Sequence, residues 1–279
     1  MSERVVFWYG CNAVRHGDII HGCMELLKAL GIEAVAVGGP SFCCGTSKDA
    51  NLQAAQAMAR RTVARFNALA ADTVVSWCPS CYRHMGSFIT GYNDAQFDVS
   101  NFAALLHRHR DRLAPRLTHA VGRKALLHTH FGFHEVDINP LVADLLRMVP
   151  GLELTVPEYS APGHMCSALQ SVPAAFADVV RTTNELAPQH EATDVVTVFH
   201  SCQRLLCGLE ATQGYRVVNY VSLLTEAMGM SFADEYKQWK LAADEQAIGE
   251  LVGANRLAKV GPEFFQRALL PELKAKPPK

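Results

Sequence analysis

The chain has 279 residues, of which 49% are hydrophobic and 19% are charged, and its formal net charge is -1. A chain of this length and composition can bury the core of one large domain or two small ones, which excludes intrinsic disorder. Its basic residues are scattered apart from the terminal PELKAKPPK, so the charge pattern argues against a protein that binds nucleic acid.

The hydrophobic runs of the chain are short. Asp, Arg, His or Lys interrupts every stretch that approaches the roughly 20 residues a membrane helix needs, so we expect no transmembrane segment. The amino terminus, MSERVVFWYG, lacks the charged region and long apolar core of a secretion signal. We therefore expect a cytoplasmic protein, in which nine cysteines favour metal binding or redox chemistry over disulfides.

Short β-rich runs alternate with longer helical patterns along the first half. The pattern predicts strands at 5–9, 33–37 and 73–77 and helices near 18–30 and 50–70. This alternation is typical of βαβ units and a mostly parallel sheet.

The second half repeats the first. VVFWY (5–9) matches ALLHT (125–129), DTVVSWCPSC (72–81) matches DVVTVFHSC (194–202), and FDVSNFAALL (97–106) matches YRVVNYVSLL (215–224). The offsets stay between 118 and 122 residues, which indicates a duplication. We predict an α/β protein with two Rossmann-like halves at 1–118 and 119–230, and a helical carboxyl-terminal extension and tail at 231–279.

Five cysteines follow the strands of the first half. They are Cys11 after the first strand, Cys43 and Cys44 after EAVAVGGPSF, and Cys78 and Cys81 after TVVSW. Ligands collect outside the carboxyl ends of parallel strands, so we expect these five thiols to converge. The isolated Cys23, inside the helical pattern GCMELLKAL, is expected to be a packing residue.

The number of thiols bears on the kind of metal. A structural zinc takes four ligands, and CxxC is a common half of such a site. Zinc would leave the fifth thiol unexplained, and the adjacent Cys43 and Cys44 are poorly placed to reach a single ion. An iron-sulfur cluster contains several irons, so adjacent thiolates can bind different metals. The spacing favours iron and leaves zinc open.

The arrangement of Cys11, Cys43-Cys44-Gly45 and Cys78-Pro-Ser-Cys81 resembles the CCG or cysteine-rich domain, whose best-known member is the cysteine-rich subunit of heterodisulfide reductase. The resemblance implies that the five cysteines hold one noncubane 4Fe-4S cluster. It also implies an oxidoreductase of sulfur metabolism that makes or breaks disulfide or sulfur-carrier bonds at this cluster. Such proteins work in a complex with a ferredoxin-like iron-sulfur subunit and a flavoprotein subunit.

The second half departs from this motif. The repeat aligns Cys11 near Phe131, Cys43 near Met165, Cys44 with Cys166, Gly45 with Ser167, Cys78 with Phe199 and Cys81 with Cys202. Only two of the five ligand positions keep a thiol, so a second noncubane cluster is not expected.

Histidines surround the two remaining thiols of the second half. They are His128, His130 and His134 in HTHFGFH, His164 near Cys166, and His200 near Cys202. A Cys and His site for zinc is one interpretation. Another is a vacated cavity in which Cys166 or Cys202 is a redox-active thiol and His130, His164 and His200 donate protons. A third is that each histidine is a surface or hydrogen-bonded core residue, and Cys207 is expected to be packing.

Two other functions stay open on the sequence. One is an electron-relay subunit, like those of succinate dehydrogenase or of glycolate and lactate oxidation systems, that passes electrons without sulfur-bond chemistry. The other is a zinc-stabilised structural subunit with no redox role, which would be colourless.

Overall fold

The computed structural model describes residues 3–45, 51–133, 135 and 137–275, and of residues 87 and 88 only the backbone. His134 and the last four residues of the predicted tail lie outside these ranges. In the described part, the strands form two parallel β-sheets, one in each half of the chain.

The first half contains a four-stranded parallel sheet in the order β2-β1-β3-β4. Its strands are β1 (Arg4–Gly10), β2 (Glu33–Gly38), β3 (Thr73–Ser76) and β4 (Asp98–Asn101). Its helices are α1 (Gly17–Ala29), α2 (Leu52–Ala68), α3 (Pro79–His84), α4 (Phe102–Arg108) and α5 (Arg110–Leu113). All three predicted strands and both predicted helices of this half are present.

The second half has the same architecture, with a four-stranded parallel sheet in the order β6-β5-β7-β8. Its strands are β5 (Arg123–His128), β6 (Leu152–Thr155), β7 (Asp194–Thr197) and β8 (Arg216–Asn219). Its helices are α6 (Ile138–Arg147), α7 (Pro173–Gln189), α8 (His200–Leu206) and α9 (Tyr220–Ala227). The predicted fold class, two Rossmann-like α/β halves with parallel sheets, is confirmed.

The repeat extends to individual helix caps. Asn101 ends β4, and its side chain accepts a hydrogen bond from the backbone N–H of Ala103 at 2.9 Å. Asn219 ends β8 and caps α9 in the same way, with the backbone N–H of Val221 at 3.1 Å. Each asparagine thus begins a helix by satisfying an N–H group that has no partner inside the helix.

The central strands of each sheet are covered on both faces, whereas the edge strands β2 and β6 contain no buried residue. Val5, Val6, Phe7 and Trp8 of β1 are each at most 1% exposed, and all four residues of β7 are buried. A parallel sheet with helices on both sides requires such continuous apolar runs, whereas a half-exposed strand would alternate. This is the physical reason that the strands could be predicted from short hydrophobic runs.

The two halves pack through helices related by the repeat. Helix α1 packs on α9, and α4 packs on α6. A Cβ atom added at Gly22 of α1 would lie 2.6 Å from Cγ1 of Val221, so the glycine allows the close approach of the two helices. The side chain of Val221 is 1% exposed and β-branched, and therefore has little freedom to move aside.

A helical extension follows the second half, as predicted. Its helices are α10 (Glu235–Leu241), α11 (Glu245–Val252), α12 (Ala254–Val260), α13 (Pro262–Phe264) and α14 (Leu270–Lys274). Glu272 of α14 forms ion pairs with Arg15 of the first half and Arg204 of the second, each at 3.2 Å. The hydroxyl group of Tyr236 donates a hydrogen bond to the same carboxylate at 3.1 Å. The extension therefore contacts both halves through one carboxylate.

The division of the chain at 1–118, 119–230 and 231–279 stays a prediction. Within the residues that the structure describes, no helix combines the length and the apolar composition needed to cross a membrane.

We predict that Gly22→Ala lowers the free energy of unfolding by about 1 to 3 kcal/mol, because overpacking of a fixed contact is destabilising. The control is Gly249→Ala in α11, where an added Cβ would meet nothing within 4 Å. That substitution should leave stability unchanged or raise it by about 1 kcal/mol, since alanine is the better helix former. Chemical denaturation of both variants measures the difference, and equal effects would contradict the close helix contact.

Candidate metal centres

Five thiols lie together where β1, β2 and β3 end. Cys11 follows β1 directly, and Cys43 and Cys44 follow the 3-10 turn Pro40–Phe42 that comes after β2. Cys78 precedes α3, and Cys81 lies within its first turn. The strand ends thus bring together all five cysteines that the sequence selected.

The thiols form one continuous set of contacts. Cys81 donates to the sulfur of Cys44 across 3.6 Å. Cys43 is hydrogen-bonded to both Cys11 and Cys44, and Cys78 is hydrogen-bonded to Cys81. Cys11 is exposed and Cys43 is half-buried, whereas the other three are buried. One side of the set therefore faces solvent.

The shape of the set differs from that of a single-ion site. None of the nine cysteines of the chain forms a disulfide. In the described ranges, two groups have three or more ligand atoms within 4.8 Å of one another, and neither includes these five thiols. The five sulfurs are adjacent but more widely spread, as a multinuclear cluster requires.

Hydrogen bonds distribute the charge unevenly over the five thiols. The hydrogen bonds from Cys11 and Cys44 lower the pKa of Cys43 to about 2, although burial opposes the shift. The hydrogen bond from Cys81 lowers the pKa of Cys78, with help from backbone N–H groups at the start of α3. The pKa values of Cys11 and Cys81 rise, first because these thiols donate to their neighbours. The thiolate form, which is the form that binds metals, is therefore favoured most at Cys43 and Cys78.

Gly10 brings the backbone close to the same thiols. Its φ angle is +78°, a conformation that favours glycine. An added Cβ would lie 3.3 Å from the sulfur of Cys81 and 3.4 Å from Cβ of Cys78. The absence of a side chain leaves this side of the thiol set open.

A second group of ligand atoms lies in the other half. His128 ends β5, His130 follows two residues later, Cys166 begins the 3-10 turn Cys166–Leu169, and Cys202 lies in α8. Nε2 of His130 lies 3.3 Å from Nε2 of His128 and 3.4 Å from the sulfurs of Cys166 and Cys202. All four ligand atoms lie within 4.8 Å of one another, and all four residues are buried. We call these residues the Cys2His2 set.

Charge is concentrated on one thiol of the Cys2His2 set. Burial raises the pKa of Cys202, but hydrogen bonds from Cys166 and both imidazoles and the charge of His130 bring it well below its usual value. Burial raises the pKa of Cys166. Burial lowers the pKa of His128. Burial also opposes the charged form of His130, but the nearby Cys202 has the larger effect and the pKa of His130 rises.

Two other histidines that the sequence selected, His164 and His200, lie outside the Cys2His2 set. Nε2 of His164 is 2.8 Å from the hydroxyl oxygen of Ser80, between the two cysteines of the first-half CxxC. Nδ1 of His200 accepts a hydrogen bond from the indole of Trp77 at 3.1 Å. Burial lowers the pKa of His200 to about 3, so this imidazole is a neutral core group. Cys23 and Cys207 are both fully buried, in agreement with a packing role.

The sequence reasoning missed a polar group of which two members are buried and one, Asp234, is half-buried. His16, Asp18 and Asp234 have ligand atoms within 4.8 Å of one another, at the junction of α1 with α10. Burial and the neighbouring Asp234 raise the pKa of Asp18 to about 7, and burial lowers that of His16 to about 3. The side-chain amide of Gln203 donates to both carboxylates. The sequence HGD at 16–18 has no periodic or spacing signal that would pair it with a residue more than 200 positions away.

Comparison with known proteins supports the first set. Residues 5–86 match the family described as CCG, cysteine-rich domain. No curated protein matches the chain. The cysteine-rich domain and the Cys2His2 set together indicate a metal-binding or redox role.

Solved structures add information on the fold alone. A hypothetical protein from Helicobacter pylori matches with a TM-score of 0.53 and 8% identity, over 83% of this chain and 51% of that chain. This chain thus spans about half the length of that protein. An aspartate racemase homologue from Pyrococcus horikoshii OT3 has a TM-score of 0.33 at 9% identity, covering 82% of this chain and 100% of that one. The aspartate racemase of Picrophilus torridus has a TM-score of 0.33 at 10% identity, with coverages of 84% and 98%. Likenesses this weak carry no functional argument.

We predict that iodoacetamide at about pH 6 alkylates Cys43 before Cys11 in protein freed of metal, because of these two thiols only that of Cys43 has a lowered pKa and is largely ionised there. Accessibility alone would give the reverse order, since Cys11 is the exposed residue. Peptide mass spectrometry after brief labelling measures the order. Cys23, which is buried and has a raised pKa, is the control that should react only after denaturation. Faster labelling of Cys11 would contradict the charge distribution.

Proposed function

Residues 5–86 of this chain are a cysteine-rich domain of the CCG family, and on that premise we propose that its five thiols hold one noncubane 4Fe-4S cluster. The chain would then be a protein like the cysteine-rich subunit of heterodisulfide reductase, which makes or breaks disulfide or sulfur-carrier bonds. The continuous contact of Cys11, Cys43, Cys44, Cys81 and Cys78 is the observation that carries the proposal.

The donor set fits such a cluster in three respects. The thiols form no disulfides and are therefore available as ligands. They are spread beyond the spacing of a mononuclear site, and two of them are adjacent in sequence and can reach different irons. Gly10 leaves space beside Cys78 and Cys81 that any other residue would fill with a side chain.

The chemistry is a two-electron reduction or its reverse. One disulfide takes up two electrons and two protons and gives two thiols. When bound, the cluster would supply electrons one at a time to a sulfur-sulfur bond. Cys11 and Cys43 mark the side from which a sulfur substrate can approach, because the other three thiols are buried.

Polar groups of the chain lie next to the proposed ligands. The hydroxyl group of Ser80 donates to the sulfur of Cys78, which lowers the pKa of that thiol. The same hydroxyl lies 2.8 Å from Nε2 of His164 in the second half. The pair Ser80 and His164 therefore supports a role in orienting the CxxC segment and in carrying protons toward the thiols.

We propose partner proteins because the reduction of one disulfide needs two electrons. With one cluster on this chain, two electrons must arrive in separate steps or be shared with a second centre. A ferredoxin-like iron-sulfur subunit would deliver them, and a flavoprotein subunit would split electron pairs into single electrons. We place the complex in the cytoplasm, where thiols are kept reduced.

An electron-relay subunit of a succinate dehydrogenase, glycolate or lactate oxidation type is the second candidate. The solvent-facing side of the thiol set suits exchange of electrons with another subunit as well as it suits a sulfur substrate. The two functions differ in product, because a relay generates no thiols. Incubation of the reduced, cluster-loaded protein with an organic disulfide and quantification of released thiol discriminates between them.

We expect anaerobically purified protein to contain about four irons and matching sulfide per chain, as one 4Fe-4S cluster requires. Cys44→Ala should lose them, because it removes a central member of the set. Cys23→Ala is the matched control: it removes a buried cysteine outside the set and should keep the iron. Elemental analysis with sulfide determination measures both. Protein without iron and sulfide would overturn the redox proposal, whatever zinc it contains.

We further predict that Ser80→Ala lowers the reduction potential of the cluster, because hydrogen bonds to ligand sulfurs stabilise the reduced state. The repeat supplies a matched control, Ser201→Ala, at the equivalent position before Cys202. Redox titration monitored by electron paramagnetic resonance gives the two midpoint potentials. Equal shifts in both variants, or no shift in Ser80→Ala, would contradict a hydrogen bond from Ser80 to the loaded site.

A further inference from the structure

We propose that the Cys2His2 set of the second half, His128, His130, Cys166 and Cys202, is a mononuclear zinc site. Four soft or borderline ligand atoms converge within 4.8 Å of one another. Four thiol or imidazole ligands in a tetrahedron are the usual composition of a structural zinc site.

The distances fit the size of such a site. Bond lengths of about 2.1 Å to nitrogen and about 2.3 Å to sulfur give a tetrahedron with edges of about 3.4 to 3.8 Å. Four ligand-to-ligand distances in the set are 3.3 Å between the two imidazoles and 3.4 Å for three nitrogen-sulfur pairs. A small contraction of this kind is expected for donors that contact each other directly through hydrogen bonds.

The charge and burial of the set also suit zinc. His128 is 5% exposed, His130 is 1% exposed, and both cysteines are fully buried. Two thiolates and two neutral imidazoles balance the charge of one divalent ion, so the loaded site has no net charge. Burial of an uncompensated thiolate would be costly, whereas burial of a neutral metal complex is not.

Hydrogen bonds to neighbouring groups of the protein orient the side chains of the set toward one point. Nδ1 of His130 lies 3.0 Å from the carbonyl oxygen of Pro162, which leaves Nε2 to face the two sulfurs. Such a hydrogen bond fixes the ring and its tautomer in metal sites. The side-chain amide of Asn139 donates to the carbonyl of His130 at 2.6 Å. The backbone N–H of Cys166 donates to the sulfur of Cys202 at 3.4 Å and stabilises it as a thiolate.

The repeat explains why this half would hold one ion rather than a cluster. Trp8 pairs with Ser76 in the first sheet, and His128 pairs with Thr197 in the second. His128 is therefore the equivalent of Trp8, and His130, two residues later, is the equivalent of Gly10. An added Cβ at Gly10 would already contact the sulfur of Cys81. In the second half an imidazole fills this space and contacts Cys166 and Cys202, the equivalents of Cys44 and Cys81.

The proposed ion would be structural. All four positions are taken by protein ligands, so no position stays open for substrate. The ligands join the end of β5, the turn at 166 and α8. The segment that leads to Cys166 includes His164, whose imidazole contacts Ser80 in the first half. The zinc would thereby hold the segment that contacts the CxxC of the other set.

The first experiment measures zinc and iron separately in five proteins. Wild type and Cys44→Ala should each contain about one zinc per chain, since the second set is intact in both. Cys166→Ala and His130→Gln should lose it. Cys207→Ala, which removes a buried cysteine outside the set, should keep it. Zinc that disappears with Cys44→Ala, or persists in both ligand variants, would overturn the proposal. The iron content reports on the first set, so either proposal can fail without the other.

A second experiment needs no substitution and covers the case in which a ligand variant does not fold. Purified wild type is stripped of zinc with a chelator and reloaded with Co²⁺. Intense visible ligand-field bands of tetrahedral cobalt and a thiolate charge-transfer band are expected, and zinc should displace them. Weak octahedral bands, or a disulfide between Cys166 and Cys202 in the protein as purified, would overturn the site and favour a redox-active thiol pair.

Discussion

Parallel pairing of β1 with β2 and β3 is the interaction on which both ligand sets depend. It places the carboxyl ends of three strands side by side, and each strand is followed by a segment that carries cysteine. The second half repeats the pairing with β5, β6 and β7, so the same three places are filled from a different set of residues. Since the backbone framework is shared, the difference between the halves comes down to side chains at a few strand ends. Gly10 and His130 are the clearest pair, because one leaves a space that the other occupies.

The sequence predicted the fold class and the meeting of the five first-half thiols, whereas their binding of a metal stays a prediction. The central strands β1 and β7 are short apolar runs because both of their faces are covered, and the five thiols lie within a few residues of the ends of β1, β2 and β3. The sequence did not show which of the histidines belong to the second set. His128 and His130 join the second set, whereas His164 contacts Ser80 and His200 contacts Trp77. That choice depends on strand register and on the path of the loop before Cys166, neither of which has a periodic signal.

The polar group of His16, Asp18 and Asp234 was unpredictable for a different reason. His16 and Asp18 lie at the start of α1 and Asp234 caps α10, so they meet only when the extension packs on the first half. Burial favours the neutral forms, lowering the pKa of His16 and raising that of Asp18. Such a group has no signature in local sequence, because its chemistry is created by tertiary contact. It also shows that the contact between the halves and the extension is not purely apolar.

The two halves are connected close to their ligand sets as well as through helix packing. The indole of Trp77, just after β3, donates to His200 and stacks on Tyr220 at 5.6 Å between ring centroids. His164 meets Ser80 a few residues further along. Direct contacts between side chains thus link the neighbourhoods of the two sets across the boundary between the halves.

The position of Glu272 has a consequence for biosynthesis. Its carboxylate pairs with Arg15 and Arg204, which belong to opposite halves and precede it by 257 and 68 residues. On a ribosome, both halves emerge before this residue is made, and domains generally begin to fold as they emerge. The contact that joins the halves through the extension thus forms last, when the sheets already exist. There would then be a period during synthesis in which both halves are folded but the extension has not yet packed on them. Metal could be inserted into the halves during that period.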